Sequence, residues 1–282
     1  MRRETFETPG EVTLDIRVPT GRVDIETRTG TTTEIELDVR GSDEEANELL
    51  EQARVELRET RGGHEVIVHV EDRSWGGLRF WRKVDVRLAV RAPEGANLRY
   101  ATSSADLRGL GRLGWLEAEA ASGDIEVEEL AGNAVAKAAS GDVRLASVAG
   151  DASVNTASGD VKLGRVGGEA VVKTASGDVG IDDAGGAVDV ATASGDQRIA
   201  AVTAGRVDLK SASGDIEVGI REGSNLWVDA RAMSGDLSSE VELGEGPPDG
   251  ADDAPLVELQ ATSMSGDIEV VRAPAPSDAR SK

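Results

Sequence analysis

Nine aspartates recur along this chain with a spacing that could do chemistry: Asp106, Asp124, Asp142, Asp160, Asp178, Asp196, Asp215, Asp236 and Asp267. Eight of them close a Ser-Gly-Asp triplet, and Asp106 closes a degenerate copy, Ser104-Ala105-Asp106. From Ser122 the triplets begin at intervals of 18, 18, 18, 18, 19, 21 and 31 residues. If equivalent residues stack, the carboxylates form a line. Neighbours about 4.8 Å apart would then repel by roughly 0.9 kcal/mol even in water. Two kinds of chemistry could offset that. Ca²⁺ could sit between coils and bridge carboxylates with serine or carbonyl oxygens, with Asp124, Asp142, Asp160, Asp178, Asp196 and Asp215 as candidate ligands. Alternatively each aspartate accepts hydrogen bonds from nearby backbone N–H groups and fixes a tight turn. Turn chemistry is the leading expectation, because the Gly-Gly-x-Gly spacing of nonapeptide calcium repeats is absent.

A second set of residues could bind a partner. Three positions before the serines stand Lys137, Asn155, Lys173, Lys210 and Arg231, a basic stripe suited to an acidic protein or a glycan. The same cations could instead balance neighbouring Glu and Asp. Residues 73–83, RSWGGLRFWRK, gather Trp75, Phe80 and Trp81 with Arg79 and Arg82 inside an acidic chain. Aromatic and arginine side chains are enriched at contact hot spots, so this segment is a candidate docking tip; the competing reading is an apolar plug over a solenoid end. Trp115 and Trp227 each lie seven residues before a serine, on the outward parity.

Signals for catalysis and transition metals are weak. His64 and His69 are separated by an odd number of strand positions and face opposite ways. Asp182-Asp183 is the one tempting carboxylate pair outside the repeat, but adjacent strand residues point apart, which is poor geometry for acid/base work. No phosphate loop, nucleophile elbow or metal triad is present. A polysaccharide-acting β-helix enzyme is therefore the least supported reading. No cofactor is expected apart from the candidate Ca²⁺.

What must position these columns is a repeated strand pair. Two, four and six residues before the serines stand Thr156, Val154 and Ala152, then Thr174, Val172 and Ala170, then Thr192, Val190 and Val188. Polar residues separate them, so one face is buried. After each triplet a second alternation begins, as in Val143 and Leu145 or Val179 and Ile181. A second glycine column, Gly114, Gly132, Gly150, Gly168, Gly186 and Gly205, falls eight residues before the serines. Both glycine columns predict turns with positive φ. Two strands and two turns in 18 residues predict one coil of a parallel β-solenoid. The inward spacing of three from Val127 to Leu130 predicts a bulge or a shallow corner.

The grammar extends upstream. Leu14, Ile16 and Val18 precede Thr20-Gly21, and Val23 and Ile25 follow it. A helix is expected at about 43–53, with Ser42 and Glu45 as a capping box and Ala46, Leu49, Leu50 and Ala53 as its apolar stripe. The domain reading is a β-rich cap over 1–95, a regular solenoid over 96–272 and a disordered tail over 273–282.

Composition fits such a fold. Hydrophobic residues are 39% of 282, yet only seven are aromatic, so Val, Ile, Leu and Ala must fill a narrow interior. The net charge of -22 argues against nucleic acid and anionic lipid as partners. There is no cysteine. No apolar run is long enough for a signal peptide or a membrane span, so a cytoplasmic protein is expected, with envelope association only through a partner.

The opening TPGEVTLDIRVPTGRVDIET, followed by ASGD-[IV]-x-[VL] coils over about residues 4–272, resembles a bacterial and archaeal family of β-strand-repeat proteins of unknown function known as "putative adhesins". That resemblance implies a parallel β-solenoid and supplies no catalytic residues. The leading functional expectation is a non-catalytic scaffold presenting side-chain columns to a protein or glycan. The second is self-assembly through solenoid ends, motivated by a C-terminal coil, Met264 to Val271, with no evident cap.

Overall fold

The computed structural model describes residues 1–41, 43–70, 84–241 and 255–273, with the side chains of 43–45 also outside that set. The chain divides into two compact units, Met1–Ser147 and Val148–Lys282. Each is a parallel β-solenoid, as the repeat predicts.

In the first unit the elements are β1 (Arg2–Glu7), β2 (Glu11–Arg28), β3 (Thr32–Arg40), α1 (Asp43–Gln52), β4 (Arg54–Glu59), β5 (Gly63–His69) and β6 (Asp85–Pro93), then β7 (Asn97–Leu113), β8 (Leu116–Ser122), β9 (Ile125–Leu130), β10 (Ala134–Ser140) and β11 (Val143–Val148). β2 and β7 are long because each turns a corner without losing its ladder. The first half of β2 lies between β5 and β7 and its second half between β6 and β7, all parallel. Gly21 makes the β2 corner at φ +111°, where a Cβ would strike the Val86 backbone. β8 and β9 continue the two stacks from the two halves of β7, and β10 stacks on β8. At the N-terminal end the pairing becomes antiparallel, through β1 with β3, β3 with β6 and β4 with β5. The predicted helix is present. Ala46 and Ala53 are buried, Leu49 and Leu50 are half-buried, and the Arg2 guanidinium donates to the Ala53 carbonyl at 2.7 Å. The capping box lies outside the described residues.

The second unit contains β12 (Ala152–Ser158), β13 (Val161–Val166), β14 (Ala170–Ser176), β15 (Val179–Ala184), β16 (Val188–Ser194), β17 (Gln197–Val202), β18 (Gly205–Ser213) and β19 (Ile216–Ile220), followed by β20 (Asn225–Ala232), β21 (Leu237–Ser239), β22 (Leu256–Ser263) and β23 (Ile268–Arg272). Residues 18 apart are direct ladder partners: Val154 with Val172, Val172 with Val190, Val161 with Val179. Valine, leucine, isoleucine and alanine fill the inside in columns, and the interior is nearly dry of solvent contact. The spacing of three is a local irregularity, with the ladder shifting between Gly109 and Arg112 and again between Ile199 and Val202.

Two expectations need correction. The Ser-Gly-Asp glycines do adopt positive φ, from +124° at Gly141 to +148° at Gly235. In the second glycine column only Gly205 does so. At Gly114, Gly168 and Gly186 the reason is instead the close approach of a neighbouring coil. A Cβ on Gly186 would run into the Gly168 carbonyl, and one on Gly168 into the Asp151 carboxylate.

The second correction concerns the end of the second unit. The Met264–Val271 coil is not terminal: β22 pairs with β18 on one side and β20 on the other, and β23 lies between β19 and β21. The last coil in sequence is therefore inserted between its two predecessors. Among the described residues, β20 and β21 form the outer coil.

Candidate interaction surface

The aspartate line exists, and its hydrogen bonding runs between coils rather than within each turn. In the first unit Asp106 Oδ1 accepts the backbone N–H of Asp124 at 3.1 Å, and Asp124 Oδ1 that of Asp142 at 2.9 Å. In the second unit the chain of acceptors runs Asp160 to Asp178, Asp178 to Asp196 and Asp196 to Asp215, at 2.9–3.0 Å. It then passes from Asp215 to Asp267 and from Asp267 to Asp236, both at 2.8 Å, following the inserted coil order. The carboxylates of Asp106, Asp124, Asp160, Asp178, Asp196, Asp215 and Asp267 thus each seat the next turn on their own. These turn N–H groups offset the repulsion within the line, because a hydrogen bond to a charged acceptor is worth more than one to a neutral acceptor. Each of these seven commits its Oδ1 in this way. Among the described residues, no three His, Asp or Glu side chains gather in a geometry that could hold a metal ion.

This arrangement makes a direct prediction. Asp178→Asn keeps the Oδ1 acceptor and removes one charge from the line, so its stability should be unchanged or up to about 1 kcal/mol higher. Asp178→Ala removes the acceptor and should cost about 1 kcal/mol. Urea unfolding of both variants, with and without millimolar Ca²⁺, reads this out. A large Ca²⁺-dependent gain in the parent protein that Asp178→Asn abolishes would instead make the column a cation site.

The positions of the basic stripe are ladder neighbours within the second unit, in an order more regular than the sequence order suggests. Within the second unit the ladder partners run Asn155, Lys173, Ala191, Lys210, Thr262 and Arg231. Cations therefore stand on every second coil, about 9.6 Å apart, with small or neutral residues between them. The parallel column two residues earlier runs Ser153, Val171, Asp189, Asp208, Gln260 and Asp229. Lys210 pairs with Asp208 at 3.0 Å and Arg231 with Asp229 at 3.1 Å. Lys137, on β10 of the first unit, pairs with Glu119 one coil before it at 3.2 Å. Lys173 is exposed and, among the described residues, has no carboxylate within ion-pair distance. These exposed pairs contribute little to stability. Their effect is to set a fixed pattern of charge on a flat face.

Trp75, Arg79, Phe80, Trp81 and Arg82 lie outside the described residues. Trp115 is half-buried, with the Arg99 guanidinium 5.8 Å from its ring centroid, a cation–π contact. The two histidines do part company: His64 shares the inward parity of Val66 and Val68, while His69 Nε2 lies 3.2 Å from Asp15 Oδ1 on the other side of the strand. Asp182 and Asp183 do not converge on a site; Asp183 instead binds Arg221 at 2.9 Å and Arg165 at 3.7 Å.

Sequence reasoning missed one buried polar network. Gln197 is 1% exposed at a position where other coils carry Ile, Val or Leu. Its amide donates to Thr192 Oγ1 at 2.9 Å and to the Lys210 carbonyl at 2.7 Å, and Thr192 donates to Ser211 Oγ. A glutamine in an apolar column was the available signal. In the first unit the buried Tyr100 hydroxyl donates to the Ala105 carbonyl at 2.7 Å, and burial pushes this phenol above the usual tyrosine range.

A family model described as Toastrack DUF4097 matches residues 13–271. No curated protein matches the sequence. Among solved structures, the chain is similar to a "putative adhesin" from Parabacteroides merdae ATCC 43184 at 11% identity, covering 96% of this chain and 95% of that one with a TM-score of 0.46. It is likewise similar to a "putative adhesin" from Bacteroides fragilis NCTC 9343, at 11% identity, 96% coverage of both chains and a TM-score of 0.43. A third, named a "putative lipid binding protein", from Parabacteroides distasonis ATCC 8503, is 10% identical over 96% of both chains with a TM-score of 0.35. Among the described residues no helix is long and apolar enough to cross a membrane.

Proposed function

The chain belongs to the Toastrack DUF4097 family, and on that premise we propose that it is a non-catalytic scaffold whose regular faces present side-chain columns to a protein or glycan partner. One observation carries this reading: the in-register stacking of the second unit fixes Lys173, Lys210 and Arg231 at two-coil intervals on one face. A stiff row of cations with neutral gaps suits a repeating anionic partner, such as an acidic glycan or an extended acidic peptide. Preorganisation helps, because the side chains sit on strands rather than on a loop that must be ordered on binding. The overall charge of -22 repels an anion at long range, so binding of this kind is local and salt-sensitive. Residues 1–95 serve as the cap of this scaffold, and residues 73–83, with Trp75, Phe80 and Trp81, are a second contact region to test.

The test uses immobilised polygalacturonate and polyglutamate as probes at low ionic strength. Binding should fall by roughly tenfold in Lys173→Glu/Lys210→Glu. It should persist in Lys162→Glu/Arg198→Glu, which reverses the same number of charges in the columns that follow the triplets. Equal loss in both variants, or no retention of either probe, overturns the stripe as the contact.

A second reading, assembly through an end of the second unit, is favoured by a different observation: β20 has one ladder partner, β22, among the described residues.

A further inference from the structure

We propose that the outer coil of the second unit is a homodimer interface, in which β20 pairs antiparallel with β20 of a second copy about a two-fold axis through Ala230. This rests on the end-assembly reading and goes beyond it by fixing the register, and with it a closed dimer rather than an open polymer.

The end of this unit is unfinished in a specific way. Leu226, Val228 and Ala230 occupy inward positions but are only half-buried, whereas their partners on β22, Val257, Leu259 and Ala261, are fully buried. On the other stack Leu237 is 54% exposed, while its partner Ile268 is 1% exposed. Met233, on the same outer coil, is 79% exposed.

Backbone direction selects the strand face available to a partner. Asn225 N–H donates to the Pro255 carbonyl and Met233 N–H to the Ser263 carbonyl, so odd-numbered residues of β20 bond toward β22. Backbone groups alternate sides along a strand. The N–H and C=O groups of Leu226, Val228, Ala230 and Ala232 therefore point to the outer edge. Among the described residues nothing pairs with that edge, an arrangement that invites another strand.

A second copy fits it because the outward side chains are self-complementary. With the axis through Ala230, the two Ala230 residues exchange N–H···O=C bonds and Val228 pairs with Ala232 of the other copy. Asp229 then stands opposite Arg231, twice, in the non-hydrogen-bonded positions where side chains lie closest. Trp227 stands opposite Met233, a sulfur–aromatic contact. Moving the axis by one residue either way places Asp229 against Asp229 or Arg231 against Arg231, which like-charge repulsion disfavours. The ion pair that Arg231 and Asp229 make within one chain, at 3.1 Å, leaves both partly exposed and able to serve a facing strand. A two-fold pairing uses up both edges and closes the assembly.

Sedimentation equilibrium of the full chain tests this. The parent protein should reach twice its 29.4 kDa mass and stop there. Arg231→Asp puts two carboxylates opposite each other at both symmetric contacts and should weaken the dimer roughly tenfold or more. Asp229→Arg/Arg231→Asp restores opposite charges in this register and should recover it. Ala230→Pro removes an outward N–H without touching the β22 ladder, and should give a folded monomer by circular dichroism. A parent protein that is monomeric at all concentrations overturns the end-assembly reading together with this one. A dimer indifferent to Arg231→Asp, a swap variant that fails to recover, or assembly beyond two copies overturns the register while end assembly stands.

Discussion

Replacing Gly195 by alanine is expected to destabilise the second unit by roughly 3 kcal/mol or more, seen as a large drop in the urea midpoint. Two causes add. Gly195 sits at φ +130°, a conformation that side chains rarely adopt, and a Cβ there would strike the Gly177 carbonyl of the coil before it. The peptide that carries that carbonyl is held by the Asp178 N–H bond to Asp160 Oδ1, so it cannot rotate aside without losing that bond. The strain has no outlet through a rotamer, because backbone meets backbone. Gly180→Ala is the matched control: its φ is ordinary and a Cβ would meet nothing within 4 Å. It should be neutral or slightly stabilising, because alanine restricts the unfolded chain more than glycine does. A similar loss in both variants would mean that glycine content, rather than the corner, carries the effect.

Deleting Val179–Asp196, one whole coil, should leave a folded protein with a cooperative transition. Deleting half a coil, Val179–Ala187, should abolish that transition in the second unit. After the whole-coil deletion, β14 meets β18 and β13 meets β17, and the inward columns join apolar to apolar except where Val161 meets Gln197 and Thr174 meets Ser211. Gln197 loses Thr192 but finds Thr174, the equivalent hydroxyl, in its place. Lys173 comes to lie beside Lys210, a repulsion of roughly 0.9 kcal/mol in water, which a folded unit tolerates. The half-coil deletion drives a Ser-Gly-Asp corner into the position of the Gly-Gly corner and strands the aspartate acceptors. In a solenoid each coil contacts only its neighbours, so removing a complete one subtracts stability without removing the fold. Circular dichroism and urea unfolding of the two variants give the comparison.

The sequence carried most of the fold in its period. The alternation around Val154 and Val172 named the inward face, and the Ser-Gly-Asp glycines named the positive-φ corners. The second glycine column shows where such reading stops. Gly168 and Gly186 look like turn glycines, but their need for a missing Cβ comes from the coil below, a contact 18 residues away. The same limit applied to the aspartates. Composition cannot say whether Asp178 accepts from its own turn or from Asp196 one coil on, and the latter is observed. The inserted final coil was harder still. Residues 256–272 and 225–239 obey one grammar, and only the 31-residue interval from Ser234 to Ser265 hinted that the chain had room to double back. Consequently the edge without a partner among the described residues belongs to β20, whereas the sequence points to Met264–Val271 instead. Of the candidate site, the place of Thr262 between Lys210 and Arg231, which completes the alternation begun by Lys173, Ala191 and Lys210, was invisible until ladder order replaced chain order.

The most direct test of the account is a cross-linking comparison, made clean by the absence of native cysteine. Lys173→Cys/Ala191→Cys places thiols on ladder partners 18 residues apart, on the outward face. Lys173→Cys/Asp182→Cys places them nine apart, on opposite stacks of the coil. With a short bifunctional thiol reagent on dilute folded protein, the 18-residue pair should be bridged within one chain and the nine-residue pair should not. Bridging of the nearer pair, or failure of the farther one, would contradict the in-register stacking on which every column described here depends.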